Sequence, residues 1–289
     1  MVLQIKYQSL LSLMVLPGVI FLGGCFDAEK HTESGLKVSA DTSLQGHHNK
    51  IIRHDAQRTL LDVAGLGAVQ ESTSNLLKAY FHPVLLNMEN QTITDEPGAI
   101  ARYRESVKNH TLTRQALDAD KNLARLSSRD QWVLVYIVGG HDSVNHGSGT
   151  NGSKQNGVQE ASLTPGKQLI VPIEGKGYLS MLKGYLSLDL KTLSIQRIRF
   201  YEQGETPALG GKIMTNAQWL AQFQGKRILE DGQANFRVVM PHQNHQDHFT
   251  IDGLSGATNT SHSVENLINY WMGPDGYYFA LTLLQQRYL

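Results

Sequence analysis

At 289 residues the chain is long enough for one large domain or two small ones, and its 26 Lys plus Arg balance 26 Asp plus Glu, so it lacks the basic footprint of a nucleic-acid binder. A single cysteine, Cys25, excludes an internal disulfide framework and a cysteine-ligated iron–sulfur cluster. A redox cofactor in this chain is therefore organic, or a metal held by His and carboxylates.

Lys6 precedes an apolar stretch from Leu10 to Leu22 that closes on Leu22-Gly23-Gly24-Cys25, small residues ahead of a thiol, as in a lipoprotein signal with Cys25 as the lipidated residue. The alternative is an uncleaved spanning helix, since Leu10 to Phe26 just reaches the length a bilayer needs; Pro17 and the glycine pair suit a processed segment better. Both readings put the remaining chain outside the cytoplasm. Residues 26–50 mix Ser, Thr, Gly, His and charges without apolar period and read as a flexible tether. Residues 51–126 are expected to form a small helical region, and 127–289 the main domain. Leu60, Leu61 and Ala64 give helical spacing that stops at Gly65, and Leu76, Leu77, Tyr80 and Phe81 a second helix ending near Pro83. Residues 93–128 read as helix and loop.

Strand signals begin at Trp132–Val138 and return at Leu169–Ile173, with a loop rich in Gly, Asn, Ser and His across 139–157. Further strands are expected at Tyr178–Leu190, Ile195–Tyr201 and Phe236–Met240, and helices at Ala217–Phe223 and Val264–Trp271, the last with Val264, Leu267, Ile268 and Trp271 at i, i+3, i+4 and i+7. The fold class is α+β, a mostly antiparallel sheet with flanking helices, preceded by the amino-terminal anchor or lipoprotein signal. His242, His245 and His248 recur every third residue, but the surrounding Pro-His-Gln-Asn-His segment does not hold a helix, so a solvated loop is expected and no metal site. Trp132 and the aromatics of 178–201 are read as core.

The chemistry concentrates in Asp252-Gly253-Leu254-Ser255-Gly256-Ala257-Thr258-Asn259-Thr260-Ser261, ahead of the Val264 helix. Small and hydroxylated residues at a helix start leave backbone N–H groups free, and with the helix dipole they form an anion site that fits a phosphate. From the residues alone, a polar loop whose Ser or Thr caps the helix is the favoured reading. A second block, Tyr201-Glu202-Gln203-Gly204-Glu205-Thr206-Pro207-Ala208-Leu209-Gly210-Gly211, offers a tight glycine-rich loop with polar contacts.

These two blocks resemble the flavinylation motif and the Glu-Thr-Pro-Gly-Leu-Gly signature of one family, the covalent-FMN or C subunits of the Na+-translocating NADH:quinone reductases. The similarity runs from about Gln168 to Gly276 and takes in Gly175, Gly177 and Tyr178, Trp219, Gly225-Lys226 and Tyr270-Trp271-Met272-Gly273; Asp62-Val63-Ala64-Gly65-Leu66 also looks like the helix after the family's anchor. Ala208 departs from the family's glycine, and the 139–157 loop is expanded. The resemblance implies FMN esterified through its phosphate to Thr258, with Thr260 as the competing hydroxyl. It makes Asp252, Ser255, Gly256 and Ala257 the residues read by a separate magnesium-dependent flavin transferase that uses FAD, and Glu205, Thr206, Leu209, Gly210, Gly177 and Tyr178 the flavin pocket. The chain is then an electron-transfer subunit of a sodium-pumping NADH:quinone reductase, without acid or base catalysis of its own, partnered by the other membrane subunits on the periplasmic face of a bacterial inner membrane. The rivals are an Rnf-type or stand-alone flavin-binding lipoprotein, and a non-redox adaptor lipoprotein with a vestigial motif.

Overall fold

The computed structural model describes residues 56–139, 167–241 and 247–289. The expectations for Cys25 and the amino-terminal signal or anchor, the 26–50 tether, His242, His245 and nearly all of the 139–157 loop lie outside the described residues. Helix α1, described over 56–64, ends at Gly65. Gly65 adopts φ +85°, a left-handed conformation open to a residue without Cβ, and the Leu66 amide donates back to the Leu61 carbonyl at 2.8 Å, a Schellman closure. Helix α2 (Thr73–Tyr80) starts at Ser72, whose side chain accepts from the Asn75 amide. Leu60, Leu61, Val63 and Leu66 pack with Leu76 against Phe81, Val138 and Ile170 of the sheet.

Strands β1 (Phe81–Asn87) and β2 (Thr92–Thr94) come next, then helix α3 (Pro97–Lys108), the short pair β3 (Arg114–Ala116) and β4 (Ser128–Asp130), and the long strands β5 (Trp132–Val138), β6 (Gln168–Lys176), β7 (Met181–Asp189) and β8 (Ile195–Glu202). They form a six-stranded sheet in the order β2-β1-β5-β6-β7-β8, with every neighbouring pair antiparallel. Along β5, Val133, Val135 and Ile137 are buried and alternate with half-buried Leu134 and Tyr136, the period of a strand with unlike faces.

The apolar pattern extends the second helix to Phe81; in the structure Phe81 instead opens a strand inside the sheet, paired with β5 from Phe81↔Val138 to Asn87↔Trp132. A short apolar run does not separate strand from helix by its period. Pro83 is tolerated because β2 reaches only from Leu85 to Asn87, so at Pro83 the strand has a neighbour on one side. Thus β1 and β2, inside the stretch expected to be helical, belong to the sheet.

After β8 come a 3-10 turn (Gly210–Met214), helix α4 (Ala217–Ala221), the short strands β9 (Leu229–Glu230), β10 (Gln233–Ala234), β11 (Arg237–Val239) and β12 (Thr250–Asp252), and helices α5 (Thr258–Met272) and α6 (Tyr278–Tyr288). Strands β11 and β12 pair in parallel, with Val239 opposite Asp252. Helix α5 buries Val264, Leu267, Ile268 and Trp271, the stripe read from the sequence, but it starts at Thr258 instead of Val264. Helix α6 is absent from the sequence reading; it has no side-chain cap, so its start carries no residue signal. It buries Ala280, Leu281 and Leu284 in the core shared with α5 and the sheet, and Tyr288 donates from its hydroxyl to Asp95 at 2.7 Å. The α+β class therefore holds. Among the described residues no helix is long and apolar enough to cross a membrane.

Candidate functional site

Three loops meet at the start of α5. The first is the β6–β7 turn, closed by the Gly177 amide donating to the Ser180 carbonyl at 2.7 Å. The strand expected from Tyr178 begins only at Met181, so Tyr178 and Leu179 stand at the tip of the turn, 60% and 53% exposed. The second loop runs from Gln203 to Leu209, and the third from Gly253 to Ala257 between β12 and α5.

Glu205, on the second loop, ties the β6–β7 turn to the first turn of α5. Its Oε1 accepts from the Leu179 amide at 2.9 Å, the Ser180 amide at 3.0 Å and the Ser180 hydroxyl at 3.1 Å, and its Oε2 accepts from the Thr260 hydroxyl at 2.7 Å. Four donors on two oxygens suit an ionised, acceptor-only carboxylate. Burial acts to raise its proton affinity, but the bonds from Thr260, Leu179 and Ser180 outweigh burial and hold the carboxyl below the usual glutamate range. The same contacts explain two glycines. A Cβ on Gly177 would stand 2.7 Å from Glu205 Oε1, and one on Gly210 would stand 2.4 Å from Thr260 Oγ1. Ala208, by contrast, is exposed, so its methyl group meets no such constraint.

Thr258 is the first residue of α5 and no side chain caps the helix. First-turn amides have no intrahelical acceptors, and the helix dipole adds positive potential at the same place. Thr258 is exposed, whereas Thr260, a turn-mate in sequence, is 3% exposed with its hydroxyl bonded to Glu205. The loop behind them is closed by Ser261, whose hydroxyl accepts from the Leu254 amide at 2.9 Å and donates to the Ala257 carbonyl at 3.0 Å. Asp252 ends β12; its amide donates to Gln222 and its carbonyl accepts from the Trp219 indole at 2.9 Å. The Trp219 and Asp252 blocks, separate in sequence, are thus in direct contact.

A cleft of about 360 Å³ opens among these elements, lined by Tyr178, Glu205, Thr206, Leu209, Gly210, Gly256, Ala257, Thr258, Asn259 and Thr260. Gly177, Asp252 and Ser255 do not line it. Gly177 sits against Glu205, Asp252 is held at the strand end, and Ser255 is exposed on the loop. Sequence reasoning missed Asn259, whose residue type carries no mark, and the pair Leu179 and Ser180, for which the Gly-x-x-Ser turn ahead of a strand was the available signal. An uncapped helix start lines the cleft, the donor set that suits an anion such as a phosphate, and Gly256, at φ +76°, has only Leu209 within 4 Å of where a Cβ would be. A larger cavity of about 600 Å³ lies beside α3 and the start of α1, lined by Tyr103, Tyr136, Tyr185, Glu174 and Lys183 among others; Tyr201, Glu202 and Trp271 of the blocks singled out from the sequence line it, but none of the residues expected to bind FMN does. Tyr185 and Tyr201 pack there with ring centroids 5.3 Å apart. Among the described residues no group of three or more His, Cys, Asp or Glu could hold a metal ion.

Residues 177–273 match the family model described as FMN-binding domain. The C subunit of the Na(+)-translocating NADH-quinone reductase of Vibrio alginolyticus is 30% identical over 224 residues, covering 77% of this chain and 78% of that protein. The protein of the same name from Pseudomonas aeruginosa is 30% identical over 244 residues, covering 80% of this chain and 83% of its own length. Among solved structures, NqrC of Shewanella oneidensis superposes with a TM-score of 0.62 at 23% identity, over 81% of this chain and 98% of that one. The C subunit of the Na(+)-translocating NADH-quinone reductase from Parabacteroides distasonis gives 0.51 at 21% identity, over 81% and 96%. At those identities the two structures speak to the fold.

Proposed function

The chain belongs to the family formed by the C subunits of the Na(+)-translocating NADH-quinone reductases, and from that membership we propose that it is an electron carrier with FMN esterified through its phosphate to Thr258. Its folded domain stands on the periplasmic side of the bacterial inner membrane, beside the other subunits of the complex. The observation that carries this reading is the contrast between two hydroxyls in one cleft. Thr258 is exposed at an uncapped helix start, and Thr260 is buried with its proton donated to Glu205.

FMN bound here supplies the redox couple that takes up and passes on electrons. The chain's residues hold it. The first-turn amides of α5 suit the phosphate, and Tyr178, Thr206 and Leu209 give walls for a flat ring. A threonine hydroxyl has no depressed pKa and does not attack unaided, so attachment falls to a separate flavin transferase that consumes FAD. The bond from Thr258 Oγ to phosphorus forms, the FAD pyrophosphate bond breaks, AMP leaves and the hydroxyl proton is released.

Co-expressed with a flavin transferase, the chain gives a fluorescent band on a denaturing gel and a mass increase equal to FMN less water. Thr258→Ala loses both and keeps its fold; Thr260→Ser, which retains the hydroxyl on Glu205, keeps both. Fluorescence that survives Thr258→Ala would move the attachment site. A wild-type chain without fluorescence beside an active transferase would favour the non-redox adaptor.

A further inference from the structure

We infer that Glu205 lowers the reduction potential of the flavin held in this cleft, acting as a fixed negative charge built into its wall. The inference rests on the flavin reading of the site. Glu205 lines the cleft together with Thr258, is 4% exposed, and accepts from the Leu179 and Ser180 amides and the Ser180 and Thr260 hydroxyls. None of the ion pairs among the described residues includes it. Neutral donors spread its charge without cancelling it, and a charge in a wall sheltered from water acts more strongly than one in bulk solvent. Every electron added to a ring in this cleft brings negative charge toward that carboxylate, so reduction is opposed.

Bracing the β6–β7 turn would be a sufficient structural role for Glu205, and the two roles separate by sign. Removing the charge with Glu205→Gln moves the potential in the positive direction. Removing one donor with Thr260→Val leaves the carboxylate less compensated and moves the potential in the negative direction. A loosened turn would shift both variants the same way.

The test is a spectroelectrochemical titration of the flavin-loaded full chain for the wild type, Glu205→Gln, Glu205→Asp and Thr260→Val. The expected result is a positive shift for Gln, a negative shift for Val and a value near wild type for Asp, which keeps the charge. A flavin-loaded Glu205→Gln chain at the wild-type potential, or shifts of one sign in Gln and Val, would overturn the inference. If Glu205→Gln does not fold, Thr260→Val and Ser180→Ala each remove one donor and must both move the potential negative; unchanged values in both overturn it. A wild-type chain that takes up no flavin refutes the underlying reading, and the inference with it, before any potential is measured.

Discussion

Replacing Thr260 with Val tests the Glu205 junction directly, because valine keeps the shape of threonine and opens no cavity. What is lost is one hydroxyl donated at 2.7 Å to a carboxylate, between residues 3% and 4% exposed. A hydrogen bond to a charged group contributes about 1.5–3 kcal/mol net. Oε1 keeps its donors from Leu179 and Ser180, so the charge is not stranded, and the expected loss is about 2 kcal/mol. For a domain of this size that corresponds to a fall in Tm of about 4–8 °C. Urea unfolding followed by the fluorescence of buried Trp219 and Trp271 measures it, with Thr258→Val as the comparison: an exposed side chain at a helix start should stay within about 0.5 kcal/mol of wild type. Equal stability of Thr260→Val and wild type at neutral pH, or an equal loss in Thr258→Val, would refute the argument that Glu205 and Thr260 hold the site together.

The same carboxylate gives a pH dependence. Burial raises its proton affinity and the bonds from Thr260, Leu179 and Ser180 lower it by more, so its folded value lies below the ordinary 4.5. Its contribution is then complete above pH 4.5 and is lost as pH falls through the folded value; the gap in urea midpoint between wild type and Glu205→Gln should narrow in acid, and a gap that widens would contradict the sign. Gly210→Ala sets a methyl group 2.4 Å from Thr260 Oγ1 and 3.0 Å from Glu205 Cβ, a misfit expected to cost about 1–3 kcal/mol and to reduce flavin loading; a fully loaded variant of wild-type stability would show that the loop gives way freely. At the amino terminus, Cys25→Ser should block lipidation and leave an unprocessed precursor, whereas an unchanged mature mass would favour the spanning helix.

Much of the site is legible in the sequence because its residues are constrained by chemistry that shows in type and order: glycines where no Cβ fits, hydroxyls at a helix start, and a threonine beside small neighbours. Residue type does not distinguish Thr258 from Thr260, and the distinction lies in which one faces Glu205, some 55 residues away along the chain. Glu205 reads in the sequence as a wall residue for a ring, and its bonds to Leu179 and Ser180 show it also bracing the opposite loop. The strand at Phe81 escapes sequence reasoning because a proline and a short apolar run mimic a helix end, and its pairing with β5 is long-range. Helix α6 escapes because no cap marks its start. The α5 stripe at Val264, Leu267, Ile268 and Trp271 is visible because its period is local.

The junction at Glu205 also bears on the order of events during synthesis. Its partners come from a turn near residue 179, a loop at 205 and a helix at 260, so a nascent chain that has not yet delivered α5 cannot close the cleft, however well its sheet has formed. Contacts of such sequence separation form late, after the entropy of closing the intervening loops has been overcome. Truncation before residue 260 therefore removes one wall and leaves the Glu205 carboxylate without its Thr260 donor. Shortened chains should consequently be recognised as incomplete by their instability as well as by their empty site.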